Sequence, residues 1–544
     1  MRETPTAVRD PIRLEIYRHL LTALTEEMGA ALRRSAHSPN IKERRDYSCA
    51  LFDPAARPVA MGDHMPVHLG AMPMSVATAL SELGQLGPGD VAALNDPFRG
   101  GTHLPDITLI APVHVAADPS PLGYLAARAH HADVGGMTPG SMPLAREIYQ
   151  EGLTIPPVRL VRRGERVDDI WRLLLANVRT PGERAGDLAA QLASLAAGRR
   201  RLLELATRRG RTEVAGAMAG LLEYADRLVR AGIAMIPDGV YHAEDVLEDD
   251  GMGSTDLAIR VRLSVAGDRI EADFTGSAGQ ADGGVNAVAA ITWSAARYVV
   301  RVVVERLLGQ DLPAGGGDMS ALRVVAPEGS IVAARPPASV AGGNVEASQR
   351  ITDVLLLAVA QAVPAIAAAQ SQGTMNNLTM GGTDPRTGEP FAYYETMAGG
   401  MGGGADGPGL SAVHVHMTNS LNTPIEALEH AYPVRVREYS VRRGTGGHGR
   451  HRGGDGVRRD LQFLVAGEMS LLTERRRRAP AGLAGGAPGA CGRNVLLRRG
   501  GEVELPAKGS VRIQPGDVVS IRTPGGGGWG SEAGGATSGR AESG

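Results

Sequence analysis

The residues best suited to chemistry lie between Leu94 and Gly136. Six side chains in this stretch are metal ligands or proton carriers: Asp96, His103, Asp106, His130, His131 and Asp133. Histidine and aspartate at short spacing on glycine-rich turns are typical of open divalent-metal sites and of acid–base centres. Adjacent histidines at a strand end can also be simple hydrogen-bonded loop residues. The density of ligand types favours metal binding or catalysis.

Two predicted strands position this cluster. The runs ITLIAPVHV and GYLAARAHH are apolar, rich in β-prone residues and bounded by glycine and proline. The polar residues fall at the beginning of the first run and at the end of the second, so neighbouring strands would present them side by side. Pro105 and the pair Gly100-Gly101 predict a turn into the first strand, which allows His103 and Asp106 to converge.

Other candidates are weaker. Asp46 stands at a predicted strand entrance, where spacing alone favours an ordinary turn carboxylate. Asp63, His64 and His68 precede a predicted helix, so they form a pocket wall or His64 caps the helix. A second group of small polar residues lines a polar pocket or belongs to ordinary turns; it comprises Asn376, Asn377, Glu395, His414, His416 and Asn419.

The rest of the chain predicts a mixed α/β (α+β) fold, multi-lobed, loop-rich and glycine-rich. A helix begins at Pro11 with Asp10 as its cap, a helical pattern covers 170–229, and 243–274 alternates like antiparallel strands. Further helices run through Tyr298 and through ASQRITDVLLLAVAQAV, and mostly antiparallel strands follow from Val434. We expect the segments to be a metal-site lobe 1–165, a helical segment 166–240, an α/β lobe with pocket loops 241–433, a β-rich lobe 434–530 and a disordered tail 531–544.

Composition excludes several classes of protein. The chain has 57 Lys and Arg against 59 Asp and Glu, a net charge of −2, so no basic field favours nucleic acid or an anionic membrane. With only Cys49 and Cys491 there is no disulfide framework, which fits a reducing cytoplasm. The longest apolar tract, 354–369, is too short and too interrupted to span a bilayer. We therefore expect a soluble cytoplasmic protein.

Nucleotide motifs are lacking. No GxxxxGK[ST] motif occurs in the sequence. The stretch Gly444 to Gly449 formally matches GxGxxG, but with 73 glycines and no βαβ context we discount it. The arginine run from Arg475 to Arg478 is interpreted as a solvated or interface face.

Several ordered blocks of sequence resemble the hydantoinase B/oxoprolinase family. They are RRDYSCALFD, NDPFRGGTHLPDI, RAHHADVGG, DFTGS, EASQRITDVL, QGTMNNLTMGG, YYETMAGG, HVHMTNSLNTPIEALEHAYP, GGDGVRRDLQF and TPGGGGWG. The resemblance covers nearly the whole chain except both ends. Similar proteins include N-methylhydantoinase second subunits, the C-terminal half of 5-oxoprolinases, a caprolactamase subunit and subunits of acetone and acetophenone carboxylases.

The resemblance implies a divided mechanism. A partner subunit of hydantoinase A type, with an actin-like ATPase fold, would use ATP to phosphorylate a cyclic amide, and the present chain would complete ring opening at a divalent metal, zinc or manganese. Matching positions imply Asp46, His103, Asp106 and His130 as ligands. His131 and Asp133 would lie beside them, orient a ligand imidazole and relay a proton as catalytic residues. A hetero-oligomer is expected.

Two alternatives remain open at this level. The same ligands would serve an ATP-dependent ketone carboxylase, although cyclic-amide hydrolysis is the broader branch of the family and is favoured. A non-catalytic scaffold is disfavoured because His103, Asp106 and His130 are intact.

Overall fold

The computed structural model describes residues 7–62, 65–115, 118–313, 315, 317 and 319–531. Asp63 and His64, and the predicted tail from 532 onward, lie outside these residues. Helices and several mostly antiparallel sheets alternate along the chain, which confirms the predicted mixed α+β class. In the described part of the chain, no helix is both long enough and apolar enough to cross a bilayer.

A seven-stranded antiparallel sheet forms the centre of the N-terminal region, in the order β2-β1-β5-β4-β3-β6-β7. Its strands are β1 (Tyr47–Phe52), β2 (Pro58–Met61), β3 (Val91–Leu94), β4 (Asp106–Val113), β5 (Gly123–His130), β6 (Val158–Arg162) and β7 (Glu165–Arg166). Strands β1, β4 and β5 are buried along their whole length, because helices cover the sheet on both faces. The two predicted strands of the candidate site are confirmed as β4 and β5.

Seven helices accompany this sheet in the described chain, and most of them pack directly on it. They are α1 (Pro11–Ser35), α2 (Pro39–Lys42), α3 (His68–Leu83), α4 (Ile148–Glu151), α5 (Asp168–Ala176), α6 (Pro181–Arg209) and α7 (Arg211–Ile233). The predicted cap is confirmed, since Asp10 Oδ1 accepts the backbone N–H of Ile12 at 2.9 Å. Helices α1 and α6 approach closely at Gly198, where an added Cβ would lie 2.5 Å from the sulfur of Met28.

The middle of the chain adds a four-stranded sheet, β11-β10-β9-β8, and two helices. Its elements are β8 (Gly239–Asp249), β9 (Thr255–Ala266), β10 (Arg269–Asp273), α8 (Ala289–Leu308), β11 (Leu322–Val325) and α9 (Ser348–Ala362). A π-helical turn, Gly343–Ala347, leads directly into α9. One hydrophobic core joins this region to the first sheet, for example through Leu21, Leu125, Val303 and Leu355.

Two further sheets complete the described chain, in the orders β13-β12-β16-β19 and β14-β15-β20-β17-β18. The elements are β12 (Asn377–Thr383), β13 (Pro390–Glu395), α10 (Ile425–Ala431), β14 (Val434–Arg442), β15 (Gly456–Phe463), β16 (Gly467–Leu472), β17 (Arg493–Arg498), β18 (Gly501–Glu504), β19 (Lys508–Ile513) and β20 (Val518–Arg522). The first of these sheets pairs β12 with β16 and so crosses the predicted segment boundary at 433/434.

Glycine-rich segments around 400–403, 446–454, 482–489 and 525–528 pack backbone against backbone, and we call them the glycine seam. The N–H of Gly526 donates to the carbonyl of Gly454 at 2.9 Å, and the N–H of Gly447 donates to that of Gly526 at 2.8 Å. A Cβ on Gly526 would lie 2.1 Å from the carbonyl oxygen of Met401, so side chains are excluded there. The discounted GxGxxG match, Gly444 to Gly449, overlaps this seam.

Candidate metal centre

The centre is built on the antiparallel pair β4 and β5. Asp106 is the first residue of β4 and His130 is the last residue of β5, and they are Cα partners in the register. His103 lies on the preceding turn, where its carbonyl accepts the backbone N–H of Asp106 at 3.1 Å. Gly100 begins that turn in the left-handed region, φ 86°, which favours glycine. The predicted convergence of His103 and Asp106 is confirmed.

Three donor atoms form a compact triangle. His103 Nε2 lies 3.2 Å from His130 Nδ1, and Asp106 Oδ1 lies 3.3 Å from the first and 3.4 Å from the second. Ligands at zinc distances of about 2.0–2.1 Å in tetrahedral geometry would lie about 3.4 Å apart. The spacing of the triangle therefore matches three ligands of one divalent cation.

Missing hydrogen bonds within the triangle also indicate a metal site. All three residues are buried, and Asp106 Oδ1, His103 Nδ1 and His130 Nε2 have no hydrogen-bond partner among the described residues. A buried carboxylate oxygen without a donor is costly, and a metal ion would satisfy it. Within the described part of the chain, these three side chains form a group that could hold a metal ion. The residues present fit a divalent metal with mixed nitrogen and oxygen ligands.

Asp46 is adjacent to the triangle. It directly precedes β1, its side chain is buried, and its carbonyl accepts the backbone N–H of His130 at 3.0 Å. Its charge also acts on the His130 imidazole, where it opposes the lowering of the pKa by burial. The structure groups His103, Asp106 and His130 without Asp46. The assignment of Asp46 as a fourth ligand stays a prediction.

The second oxygen of Asp106 is held by two neighbours. Thr102 Oγ1 donates to Asp106 Oδ2, and His68 Nε2 lies 3.3 Å from the same oxygen. His68 Nδ1 is in turn 2.9 Å from Ser48 Oγ. Burial raises the pKa of Asp106, but His103, His130 and His68 outweigh burial and hold that pKa well below its usual range. The carboxylate is thus kept ionised and fixed in orientation.

His131 and Asp133 contact other partners. His131 Nε2 lies 3.0 Å from Gln191 Oε1, whereas Asp133 binds the Arg179 guanidinium at 2.7 Å. His131 follows the last residue of β5, and its Nε2 contacts Gln191 rather than the three donor atoms of the triangle. Burial, assisted by Arg184, lowers the pKa of His131 to about 4. The catalytic role of His131 and Asp133 stays a prediction.

Other predicted polar residues have partners of their own. Asp96 caps the short 3₁₀ turn Pro97–Arg99, where its side chain accepts the N–H of Phe98 at 3.0 Å. Glu395 forms two hydrogen bonds to the buried Arg459, at 2.8 and 2.9 Å. Both carboxylates thus make structural hydrogen bonds, which favours a structural role over a role in a site.

Most other residues of the second polar group also make structural contacts or are exposed. Asn376 donates to Gln372 Oε1 at 2.8 Å, and the ring of His416 packs edge-on against Tyr298. His414 Nδ1 lies 3.4 Å from Thr418 Oγ1, and Asn419 is exposed. Asn377 differs, because its side chain accepts a hydrogen bond from Tyr394, and the ring of Tyr394 stacks on His130 of the triangle.

The interpretation of the arginine run as a solvated or interface face is wrong for its first two residues. Arg475 is buried and pairs with Asp245 and Asp353, both at 2.8 Å. Arg476 donates to Asn376 and Asn494. The acidic and polar partners of these two arginines are distant in the sequence. A local count of charges therefore does not predict that the two side chains turn toward the interior.

Comparison with known families gives a direct answer. A model of the hydantoinase B/oxoprolinase family matches residues 10–532. The chain belongs to this family. An uncharacterized protein of Methanocaldococcus jannaschii is 39% identical to this hydantoinase B/oxoprolinase member over 528 residues, 96% of this chain and 91% of that protein.

The 5-oxoprolinase of Dictyostelium discoideum is 37% identical over 537 residues, 97% of this chain and 41% of that protein. The hydantoinase B/oxoprolinase chain thus spans about two-fifths of the length of this relative. Among solved structures, the ATP-dependent caprolactamase from Pseudomonas jessenii has a TM-score of 0.88 at 30% identity, covering 96% of this chain and 92% of that one. Nucleotide-free acetone carboxylase has a TM-score of 0.81 at 18% identity, covering 96% and 76%, which shows a common fold.

Sequence reasoning missed two contributors to the site of this hydantoinase B/oxoprolinase member. His68 was placed only in a pocket wall, although its ring contacts Asp106. Tyr394 was not singled out, although its ring stacks on His130 with centroids 4.3 Å apart. Tyr394 comes from β13, in a different sheet, and the only signal for it was its place in the block YYETMAGG.

Proposed function

We propose that this hydantoinase B/oxoprolinase chain is the metal-dependent subunit of an ATP-dependent cyclic-amide hydrolase. Its substrate would be a hydantoin, 5-oxoproline or lactam, phosphorylated by a partner ATPase subunit of hydantoinase A type. The observation that carries the proposal is the buried triangle of His103, Asp106 and His130. It lies in a chain whose relatives include a 5-oxoprolinase and whose fold matches a caprolactamase.

The proposed cation is zinc or manganese. His103 Nε2, His130 Nδ1 and Asp106 Oδ1 would hold it, with Asp46 as a fourth ligand. When bound, such a cation lowers the pKa of a water ligand and polarises an amide or phosphorylated carbonyl oxygen. The mixed nitrogen and carboxylate set is compatible with either metal.

The chain's own residues prepare this site. Thr102 and His68 both bind Asp106 Oδ2, so Oδ1 is left facing the two imidazoles. Ser48 in turn contacts the other nitrogen of His68. The burial of the triangle keeps bulk water away, which strengthens the electrostatic interactions of a charged centre with its substrate.

The partner is proposed from chemistry and from the family to which the chain belongs. An unactivated cyclic amide is a poor electrophile, and phosphorylation of its carbonyl oxygen would make it reactive. The sequence has no GxxxxGK[ST] motif, which is compatible with ATP use by another subunit. More than half of the 5-oxoprolinase relative lies outside the part that matches this chain, and we propose that an ATPase unit corresponding to that remainder works with this chain.

The alternative function is that of a subunit in an ATP-dependent ketone carboxylase. The fold is shared with acetone carboxylase, but at 18% identity that likeness concerns the fold alone. The caprolactamase is 30% identical and the 5-oxoprolinase 37% identical. The higher identities favour cyclic-amide hydrolysis.

The decisive experiment measures two half-reactions together. The chain is co-expressed with a hydantoinase A-type subunit, and phosphate release and product formation are followed with hydantoin, 5-oxoproline, caprolactam, and acetone plus bicarbonate. We expect ring opening of one cyclic amide that depends on ATP and on added zinc or manganese. Product from acetone plus bicarbonate, with none from the cyclic amides, would assign the chain to the carboxylase branch.

Variants test the division of labour in the same assay. Asp46→Ala and His130→Ala should abolish product and leave part of the substrate-dependent ATP cleavage, because each half-reaction belongs to a different subunit. His114→Ala is the matched control, since His114 is a buried histidine beyond the opposite end of β4. Joint loss of both half-reactions in an intact complex would show that the centre takes part in activation and would overturn the division. Ring opening by the lone chain without ATP would overturn it as well.

A further inference from the structure

The His130 imidazole lacks the usual second tether of a metal ligand. A metal-bound histidine almost always donates its other ring N–H to a carboxylate, a carbonyl or a water molecule, and that bond fixes the plane of the ring. His130 Nδ1 faces the triangle, and the opposite nitrogen, Nε2, is buried without a hydrogen-bond partner among the described residues. Packing contacts of the ring can fix its orientation instead.

Tyr394 supplies that contact. Its ring lies almost parallel to the His130 ring, with centroids 4.3 Å apart and an interplanar angle of 15°. The guanidinium of Arg44 also lies over the tyrosine ring, 4.7 Å from its centroid, and Arg44 Nη1 donates to the Tyr394 carbonyl at 2.7 Å. Ring stacking and a cation over an aromatic face each restrict rotation of the tyrosine side chain.

The hydroxyl of Tyr394 is fixed as firmly as its ring. Tyr394 Oη donates to Asn377 Oδ1 at 2.9 Å, and Asn377 Nδ2 donates to the carbonyl of Leu472 and to Glu346 Oε1, both at 2.9 Å. The orientation of the asparagine is forced, because a carbonyl only accepts and must face the amide nitrogen. A tyrosine hydroxyl carries its proton at neutral pH, so Tyr394 is the donor in this bond.

Glu346 anchors the far end of this arrangement. It belongs to the π-helical turn before α9, a kind of turn frequent at functional sites, and its Oε1 also accepts the N–H of Met375 at 3.2 Å. Leu472 is the last residue of β16. Through Asn377, the tyrosine hydroxyl is thus connected to the turn that begins α9 and to the end of β16. We call Tyr394, Asn377 and Glu346 the tyrosine arm.

We propose that the tyrosine arm positions the His130 imidazole for metal binding, with Tyr394 in place of the missing hydrogen-bond partner. This inference rests on the proposed metal centre and assigns Tyr394 as a positioning residue of that centre. The arm aligns His130 Nδ1 with the other two donor atoms before any cation binds. Preorganised ligands bind metal more tightly, because little freedom is lost on binding.

The test uses Co²⁺ as the probe, because its visible absorption reports ligand geometry. Affinity and spectrum are measured by titration of the metal-stripped chain and of three variants. Tyr394→Leu removes the ring, Tyr394→Phe keeps the ring and breaks the bond to Asn377, and Tyr393→Phe is the matched control. Tyr393 is the neighbouring buried tyrosine, but its hydroxyl donates to Thr423 and its ring packs in a different hydrophobic cluster.

The expected order of affinity is definite. Loss of an outer partner of a metal ligand typically costs about 10–100-fold in affinity, so Tyr394→Leu should weaken cobalt binding by that factor and alter the spectrum. Tyr394→Phe should fall between Tyr394→Leu and the wild type in affinity and spectrum, because it keeps the stacked ring and loses the hydrogen bond to Asn377. Tyr393→Phe should match the wild type, although it loses a tyrosine hydrogen bond of the same kind.

Each other outcome has a clear meaning. If folded Tyr394→Leu binds cobalt with the affinity and spectrum of Tyr393→Phe, the positioning role is wrong while the metal centre stands. If Tyr394→Leu does not fold, Tyr394→Phe decides, and wild-type affinity and spectrum in that variant overturn the inference. A wild-type chain that binds no cobalt overturns the metal centre together with the arm.

Discussion

Asp106 and His130 face each other as Cα partners across β4 and β5, with Asp106 Oδ1 3.4 Å from His130 Nδ1. Their distance is set by strand pairing rather than by a flexible loop. A slip of one residue in the register would turn one of the two side chains to the opposite face of the sheet. The relative position of these two side chains is therefore as well defined as the sheet itself.

Removal of a single donor should empty the centre. His103→Ala and Asp106→Ala each break the triangle, so elemental analysis of the purified variants should find less than about a tenth of the wild-type zinc or manganese. His114→Ala should keep the wild-type content, because His114 contacts the carbonyls of Leu86 and Asp118 away from the triangle. Full occupancy in both donor variants, with the fold retained, would contradict the assignment.

Metal removal should lower thermal stability. A cation that binds only the folded chain stabilises it by about 2.7 kcal/mol at one hundred times its dissociation constant. Calorimetry should therefore give a lower unfolding temperature after chelation and a recovery on addition of zinc or manganese. The same treatment should leave Asp106→Ala unchanged. An equal response in that variant would show that the stabilising ion binds elsewhere.

The buried pair Glu395 and Arg459 should be sensitive to loss of one partner. Both side chains have 0% exposure, and Glu395→Ala leaves an uncompensated guanidinium, at a cost of about 3–5 kcal/mol in the free energy of unfolding. Urea titration measures the difference. The control is Asp168→Ala, which breaks the pair with Arg166 whose side chains are 67% and 60% exposed, and it should change stability by less than about 1 kcal/mol. A small effect of Glu395→Ala would contradict the scaffold role.

Glu346 should make stability depend on pH. Burial, with the adjacent Glu474, raises its pKa from 4.5 to about 8, against the lowering influence of Lys508 and Arg476. A raised carboxyl pKa stabilises the folded state fully below pH 4.5, and that contribution is lost as pH rises through 8. Glu346→Gln stays uncharged, so its stability relative to wild type should rise over this interval by at most about 1.4 kcal/mol per pH unit. Urea titrations at several pH values measure the difference, and parallel curves for the two proteins would contradict it.

The local part of the site was predictable from the sequence. Pro105 and Gly100-Gly101 mark the turn, and the apolar runs mark β4 and β5, so the meeting of His103, Asp106 and His130 follows from short-range rules. The capped first helix and the antiparallel run 243–274 were predicted on the same basis and are confirmed.

The long-range part was not predictable from local pattern. Tyr394 reaches His130 from another sheet, and His68 reaches Asp106 from the start of α3. Arg475 looks like a surface residue until Asp245 and Asp353 are placed beside it. Each of these contacts depends on how separate elements pack, and periodicity carries no information about that packing.

The glycine seam has a consequence for the order in which the chain folds. The backbone N–H groups of Gly526, Gly527 and Gly528 donate to the carbonyls of Gly454, Gln370 and Ala487. The hydrogen bonds of the seam therefore form only after residues far apart in the chain have come into contact. Such long loops make contacts slow to form, since their closure entropy is lost before the contacts stabilise the chain. The strands β4 and β5 are joined by a short connection and can pair early. During synthesis the strands that carry Asp106 and His130 would therefore be in place while the backbone groups of the seam are still exposed to water and to other chains.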